Sequence, residues 1–277
     1  MSFEFEDELQ FGIELAKSGG ELISKVFHEK KSVSLKTSQT DLVTETDKLV
    51  EKTIFDKISS VYPSHVRIGE ETASEDDTSI VITDDPTWVV DPVDGTTNFV
   101  HSFPYPCVAI GFMNKKIVEF GVIYNPIKDE LFTAKLGFGA FLNGEKITTS
   151  PASPETVEGA LLITEIGSDK SSEKLDLVFG NMNKLLNAGA HGFRSLGSCA
   201  MNMCAVACGR ADAFYEAGMH IWDYCGAGLI VREAGGSTID MNGGELDLCA
   251  RRVIAASNSK LAVDISKNID SIELERD

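Results

Sequence analysis

Trp88-Val89-Val90 runs directly into Asp91-Pro92-Val93-Asp94-Gly95-Thr96-Thr97-Asn98-Phe99. The apolar run predicts a short buried strand ending at Asp91. Pro92 fixes its own φ and has no N–H, so a regular ladder cannot continue through it. The chain must turn between two carboxylates three residues apart, and Asp91 and Asp94 can converge on one point. The Val93 carbonyl is exposed between them as a third oxygen. Gly95 permits a tight bend, and Thr96 adds a hydroxyl. Ligation by oxygen alone, without Cys or His, selects hard cations and Mg²⁺ above all. Gly95-Thr96-Thr97 can also open a short helix, whose free N–H groups suit phosphate oxygens. One turn could therefore hold a cation on its acidic side and a phosphate on its amide side. An isolated turn of this type is more often an acidic loop with a helix cap. The strand before it and Thr-Thr-Asn-Phe after it favour the chemical reading.

A cation there would resolve a conflict in the composition. The 277 residues include 25 Lys+Arg against 43 Asp+Glu, a net charge of −18. Such a chain repels anionic substrates unless something local reverses the field. The pI near 4.7 excludes the basic footprint of a nucleic-acid or anionic-membrane binder. With 43% apolar and 25% charged residues, the chain has the composition of a globular protein with a sizeable core. Met1 to Gln10 is acidic and lacks the pattern of a signal peptide. No run approaches the roughly 18 apolar residues of a membrane helix, so a cytoplasmic protein with no membrane partner is expected. The six cysteines form no CxxC pair. Cys204 and Cys208 share a helix face with Cys199 one more turn away, but no His completes a zinc set. They read as reduced thiols packed as small apolar groups.

Periodicity predicts a helix over residues 4–27 and another from about Leu42 to Val61, carrying Asp47. Arg67-Ile68-Gly69 leads into Glu70-Glu71, and the acidic Ser74 to Thr78 reads as an exposed loop. Val108 to Thr133 alternates like a strand meander, with turns near Asn114-Lys115 and Asn125-Pro126. Asn143-Gly144 is a hairpin signal requiring positive φ. Ser150 to Pro154 is the best lobe boundary. Beyond it come a strand over residues 160–164, a helix from Ser172 to Asn187 and a small-residue helix from Cys199 to Cys208. A strand at 213–216 follows, then a helix starting after Trp222-Asp223 and running to Glu233. A hairpin turning at Asn242-Gly243-Gly244, the strand Val253 to Ala256 and a closing helix complete the chain. The first half reads as two helices and a largely antiparallel sheet, the second as a layered α/β lobe.

Trp88 to His101, WVVDPVDGTTNFVH, resembles the first signature of the inositol monophosphatase family, and Trp222 to Gly236, WDYCGAGLIVREAGG, resembles its second. Gly69-Glu70-Glu71 falls where that family has its metal-binding glutamate. The resemblance spans nearly the whole chain, in order and without large insertions. It implies the αβαβα sandwich of the inositol monophosphatase and fructose-bisphosphatase-like superfamily, an α/β (α+β layered) fold. It also implies one domain, which the boundary at Ser150 to Pro154 divides into sub-lobes of about 1–150 and 151–277. The implied activity is Mg²⁺-dependent, lithium-sensitive hydrolysis of myo-inositol monophosphates by an activated water, in a homodimer.

The resemblance further implies that Glu70, Asp91 and the Val93 carbonyl bind one Mg²⁺, and Asp91, Asp94 and Asp223 a second. Glu70 reaches a third, weaker ion through water. Asp47 hydrogen-bonds Thr96, and these two with Glu70 orient and activate the nucleophilic water. The Gly95 and Thr96 amides hold the phosphate, with Val93, Asp94 and Asp223 also facing substrate. The ring contacts map to Gly197-Ser198-Cys199 and Glu216. Cys199 departs from the alanine common at its position; a thiol is only slightly larger, so the ring pocket should persist. Each residue also has a plainer reading. Asp223 could be a helix N-cap, Glu70, Asp47 and Glu216 surface acids, Lys36 a solvated lysine, and His220 a wall residue rather than a ligand.

The nearest rival is a fructose-bisphosphate or 3′,5′-bisphosphate nucleotide phosphatase of the same superfamily. Such chains carry longer insertions and basic residues for a second phosphate. DPVDGTT superficially resembles the nucleophile motif of haloacid-dehalogenase-like phosphatases, but its aspartates are one residue too far apart. A non-catalytic scaffold would have lost a ligand, and Glu70, Asp91, Asp94 and Asp223 are all present.

Overall fold

The computed structural model describes residues 4–29, 33–35, 42–76 and 80–277. Lys36 and the end of the Ser74–Thr78 stretch lie outside them. The described chain begins with α1 (Glu6–Val26), the short antiparallel pair β1 (Val33–Leu35) and β2 (Leu42–Thr44), and α2 (Glu45–Val61). β3 (Val66–Gly69), α3 (Glu70–Asp76), β4 (Thr87–Asp94) and α4 (Thr96–Val100) follow. Next come β5 (Cys107–Asn114), β6 (Ile117–Asn125), β7 (Glu130–Lys135), β8 (Gly139–Leu142) and β9 (Glu145–Ile147). β3 to β9 form a seven-stranded sheet in sequence order, antiparallel except for the β3–β4 pair.

The remaining elements are β10 (Leu161–Thr164), α5 (Ser172–Asn187), β11 (Gly192–Arg194), α6 (Cys199–Ala207), β12 (Ala213–Ala217), α7 (Ile221–Glu233), β13 (Ser237–Ile239), β14 (Arg252–Ala256) and α8 (Ser259–Asn268). Their strands form a second, mixed sheet in the order β11-β10-β12-β14-β13.

Burial sorts these pieces into five layers. α1 and α2 place Leu15, Ile23, Val50 and Ile54 against Trp88, Val90, Ile110 and Phe112 on one face of the larger sheet. Val89, Ala109 and Ile123 on its other face meet α6 and α7, which also cover Phe214, Val253 and Ala255 of the second sheet. α5 and α8 close the outer face of that sheet over Leu162, Tyr215 and Ile254. Central strands of the larger sheet are buried on both faces, so β4 is apolar from Trp88 to Val90 rather than alternating. The order αβαβα agrees with the fold class expected from the sequence.

Several local expectations need correction. The second helix begins at Glu45 rather than Leu42, because Leu42–Thr44 pairs with Val33–Leu35. Thr44 then caps α2: its hydroxyl accepts from Thr46 N at 3.2 Å, and its own N–H donates to Asp47 Oδ2 at 3.1 Å. Residues 74–76 of the acidic stretch belong to α3. β4 does not stop at Asp91 but resumes pairing at Asp94 after a register shift. The first meander turn sits at Lys115-Lys116, with φ of 49° and 64°. α7 starts at Ile221, which places Asp223 inside its first turn. Asn143 and Gly144 have the positive φ, 50° and 82°, that the hairpin signal requires.

Candidate active site

The site forms where the end of β4 meets the starts of α6 and α7. In β4, Asp91 pairs with Ala109 and Asp94 with Cys107, so the chain bulges through Pro92 and Val93. The bulge is tied down by Val93 N, which donates to Asp91 Oδ1 at 2.9 Å. Gly95 then takes φ 92° and the chain enters α4. Both aspartates are buried.

Asp94 is held by the start of α6. Ser198 Oγ and Ala200 N each donate to its Oδ2 at 2.7 Å, and Cys199 N donates to Oδ1 at 3.2 Å. Asp223 is fixed through its own helix start, where His220 N donates to its Oδ2 at 2.7 Å. α7 itself is seated by backbone contact. A Cβ on Gly226 would lie 2.5 Å from the Ile110 carbonyl oxygen, and one on Gly121 would lie 2.3 Å from the Gly226 carbonyl oxygen. Glycine at both positions lets the helix press onto the sheet and bring Asp223 against β4.

Asp91, Asp94 and Asp223 thus each offer an oxygen within 4.8 Å of the other two. Among the described residues, no Lys or Arg forms an ion pair with any of them. Burial, then the charges of Glu70, Asp94 and Asp223, hold the Asp91 carboxyl well above its usual range. Burial and Asp223 push Asp94 to about 7. Burial also pushes Asp223 to about 6, against the opposing effect of His220. Glu70, the first residue of α3, stands outside the 4.8 Å group but is close enough for its charge to raise all three.

Thr96 Oγ1 lies 3.0 Å from Asp47 Oδ1 and 3.2 Å from the Val93 carbonyl oxygen, as a donor to either. The other oxygen of Asp47 is engaged by Thr44 N at 3.1 Å and by the Thr44 hydroxyl, so the carboxylate cannot swing away. Asp47 is fully buried, not the solvent-facing residue of the plainer reading.

On the second-sheet side, Glu216 is buried on β12. Burial and Glu165 push its carboxyl well up, and Asp223 and Asp94 act in the same direction. Gly197 has φ 96°, and a Cβ there would meet Asn98 Nδ2 at 2.6 Å. Cys199 is buried; its thiol contacts Met219 Sδ at 3.1 Å while its amide serves Asp94. All six cysteines are unpaired.

Two residues that sequence reasoning missed shape this side. Asn98 Nδ2 donates to the Leu196 carbonyl at 2.6 Å. Glu165 Oε1 accepts from Leu196 N at 2.7 Å, Gly197 N at 2.9 Å and Asn202 Nδ2 at 2.8 Å. Together they fix the loop that carries Gly197 and Ser198. The available signals were the position of Asn98 inside the densest motif and that of Glu165 just past the end of an apolar strand.

The sequence model of the inositol monophosphatase family matches residues 5–273. The chain is similar to inositol monophosphatase 1 of Homo sapiens, with 47% identity over 277 residues, covering 100% of this chain and 99% of that protein. It is 45% identical over 273 residues to inositol monophosphatase 2 of Homo sapiens, covering 99% and 94% of the two chains. Among solved structures, the extragenic suppressor protein suhB of Bartonella henselae superposes with a TM-score of 0.84 at 31% identity, covering 95% of this chain and 98% of that one. An IMPase of Thermotoga maritima gives 0.82 at 30% identity, with 94% and 96% covered. Two signatures that meet in one carboxylate cluster, a full-length family match and a shared αβαβα fold have one reading: this chain is a phosphatase belonging to the inositol monophosphatase family.

Proposed function

We propose that the protein hydrolyses myo-inositol monophosphates to inositol and phosphate in a Mg²⁺-dependent, lithium-sensitive reaction, as a cytoplasmic homodimer. The observation that carries the reading is the convergence of Asp91, Asp94 and Asp223 within 4.8 Å. Two buried carboxylates and a half-buried one, all raised in pKa first by desolvation and then by nearby acidic charge, form a site suited to a divalent cation. The donors are all oxygens, which fits Mg²⁺.

The residues that would hold magnesium are Glu70, Asp91, Asp94, Asp223 and the Val93 carbonyl. Bound there, magnesium supplies positive charge that offsets the carboxylates and phosphate oxygens and makes a nearby water more acidic. The chain's own groups do the rest. Asp47 accepts the Thr96 hydroxyl proton at 3.0 Å, leaving the Thr96 oxygen lone pairs to accept a hydrogen bond from the attacking water. Glu70 is the second acceptor for that water and takes up its proton. Gly95 and Thr96 N–H groups, at the start of α4, bind phosphate oxygens. Asp223 orients a second water that protonates the departing alkoxide. Glu216, with Gly197, Ser198 and Cys199, lines the ring side and accepts from substrate hydroxyls. No covalent enzyme intermediate is required.

Phosphate release measured across a substrate panel tests this. Inositol 1-phosphate should be hydrolysed in preference to fructose 1,6-bisphosphate and adenosine 3′,5′-bisphosphate, with inhibition by added lithium. Turnover of a bisphosphate without turnover of the monophosphate would replace the proposed substrate with a member of the rival class.

A further inference from the structure

One turn beyond Asp47, α2 presents a second carboxylate, Glu51, that is only 3% exposed. Its Oε2 accepts from Glu71 N at 2.8 Å, and its Oε1 accepts from Thr72 N at 2.8 Å and from Thr72 Oγ1 at 2.5 Å. Those amides belong to the first turn of α3, whose first residue is Glu70. N–H groups there have no partner within the helix, and a carboxylate is the acceptor that the helix start favours most. A helix is ordinarily capped by a neighbour in sequence; here the acceptor is 20 residues away on another helix. The fit is close: a Cβ on Gly69 would lie 2.4 Å from Glu51 Oε2, so the β3–α3 junction closes directly onto the carboxylate.

Asp47 and Glu51 lie four residues apart on α2, hence on one face. Asp47 grips Thr96; Glu51 grips the turn that carries Glu70. One rigid helix thereby sets the relative position of the two groups assigned to the attacking water. Burial pushes the Glu51 carboxyl up, and the charge of Glu70 acts in the same direction.

We propose that Glu51 is a positioning residue that locks the first turn of α3 so that Glu70 faces Asp91. The inference rests on the reading of Glu70 as a magnesium ligand. Calorimetric titration of the full chain with Mg²⁺ alone tests it, beside kinetics on inositol 1-phosphate. Glu51→Gln keeps the volume but can accept at only one atom, so it loses part of the grip. It should weaken Mg²⁺ binding by about tenfold, the scale expected when the partner of a metal ligand is removed. KM for substrate at saturating Mg²⁺ should change by less than about twofold, and kcat should recover as Mg²⁺ is raised, which a globally loosened fold would not show. Thr72→Val, at an exposed position, removes the hydroxyl bond alone and should give a smaller loss in the same direction; it decides the matter if Glu51→Gln melts below the assay temperature. Glu70→Gln is the control. Wild-type Mg²⁺ affinity in Glu51→Gln, with weakened affinity in Glu70→Gln, overturns the positioning role alone. Wild-type affinity in Glu70→Gln overturns the ligand assignment beneath it.

Discussion

The hydroxyl of Thr96 is the smallest group on which the proposed chemistry depends. It spends its proton on Asp47 at 3.0 Å, and Asp47 is pinned at its second oxygen by Thr44. The threonine oxygen is therefore left as an acceptor in a fixed direction. Replacing Thr96 by Val keeps the shape and removes that acceptor. The expected result is a fall in kcat of about 10²-fold or more with little change in KM, the scale of lost water activation. A variant that loses affinity for substrate but keeps kcat would assign Thr96 to binding alone. The contrast between Asp94 and Asp47 shows what a sequence can carry at this scale. Asp91, Val93 and Asp94 are neighbours, so the turn forced by Pro92 brings them together whatever the rest of the chain does. Asp47 reaches Thr96 across 49 residues, and Glu51 reaches Glu71 across 20. No local pattern encodes such pairings. The first entered only through the family resemblance, and the second did not enter at all.

Among the elements, α7 bears most directly on the site. Its approach is set by Gly226 against the Ile110 carbonyl and by Gly121 against the Gly226 carbonyl. Alanine at Gly226 would place a methyl carbon 2.5 Å from a backbone oxygen, and backbone cannot swing aside as a side chain can. Gly226→Ala should destabilise the fold by about 2–3 kcal/mol, measured as a lower urea midpoint, and should weaken Mg²⁺ binding because Asp223 lies one turn away. Unchanged stability would show that the helix can rise off the sheet freely. Elements with their own local signals were legible. The Ser172–Asn187 helix follows a serine cap, and the Asn143-Gly144 turn is encoded by its two residues. Elements defined by partners were not. β2 is a strand because β1 pairs with it. α3 is short, acidic and without apolar period, and its first amides are satisfied by a residue of another helix.

At the scale of the molecule, five layers place the acidic cluster between the two sheets, where desolvation raises the pKa of every carboxyl in it. Asp94 near 7 and Asp223 near 6 both lie above the value of about 3.8 for the unfolded chain. Between pH 4 and pH 7 the folded state therefore holds protons that the unfolded state has released, and stability falls as pH rises through that window. Their contribution is most favourable below pH 4 and is lost above pH 7. A cation that binds only the folded state reverses this loss. Adding Mg²⁺ should raise Tm more at pH 8 than at pH 5.5, and thermal scans at the two pH values with and without metal would read the difference. Equal increments would mean that the cluster is not where the ion acts.

The net charge of −18 acquires a local meaning in the same way. In the proposed mechanism, the few acids at the junction of β4, α6 and α7 form a trap for cations that turns repulsion of phosphate into attraction. The most direct test is phosphate release from inositol 1-phosphate across a Mg²⁺ titration, for the wild type and Asp94→Ala, with circular dichroism to verify the fold. The wild type should require Mg²⁺, and a folded Asp94→Ala protein should release no phosphate in a Mg²⁺-dependent manner. Mg²⁺-dependent turnover that survives in that variant would contradict the assignment of the cluster.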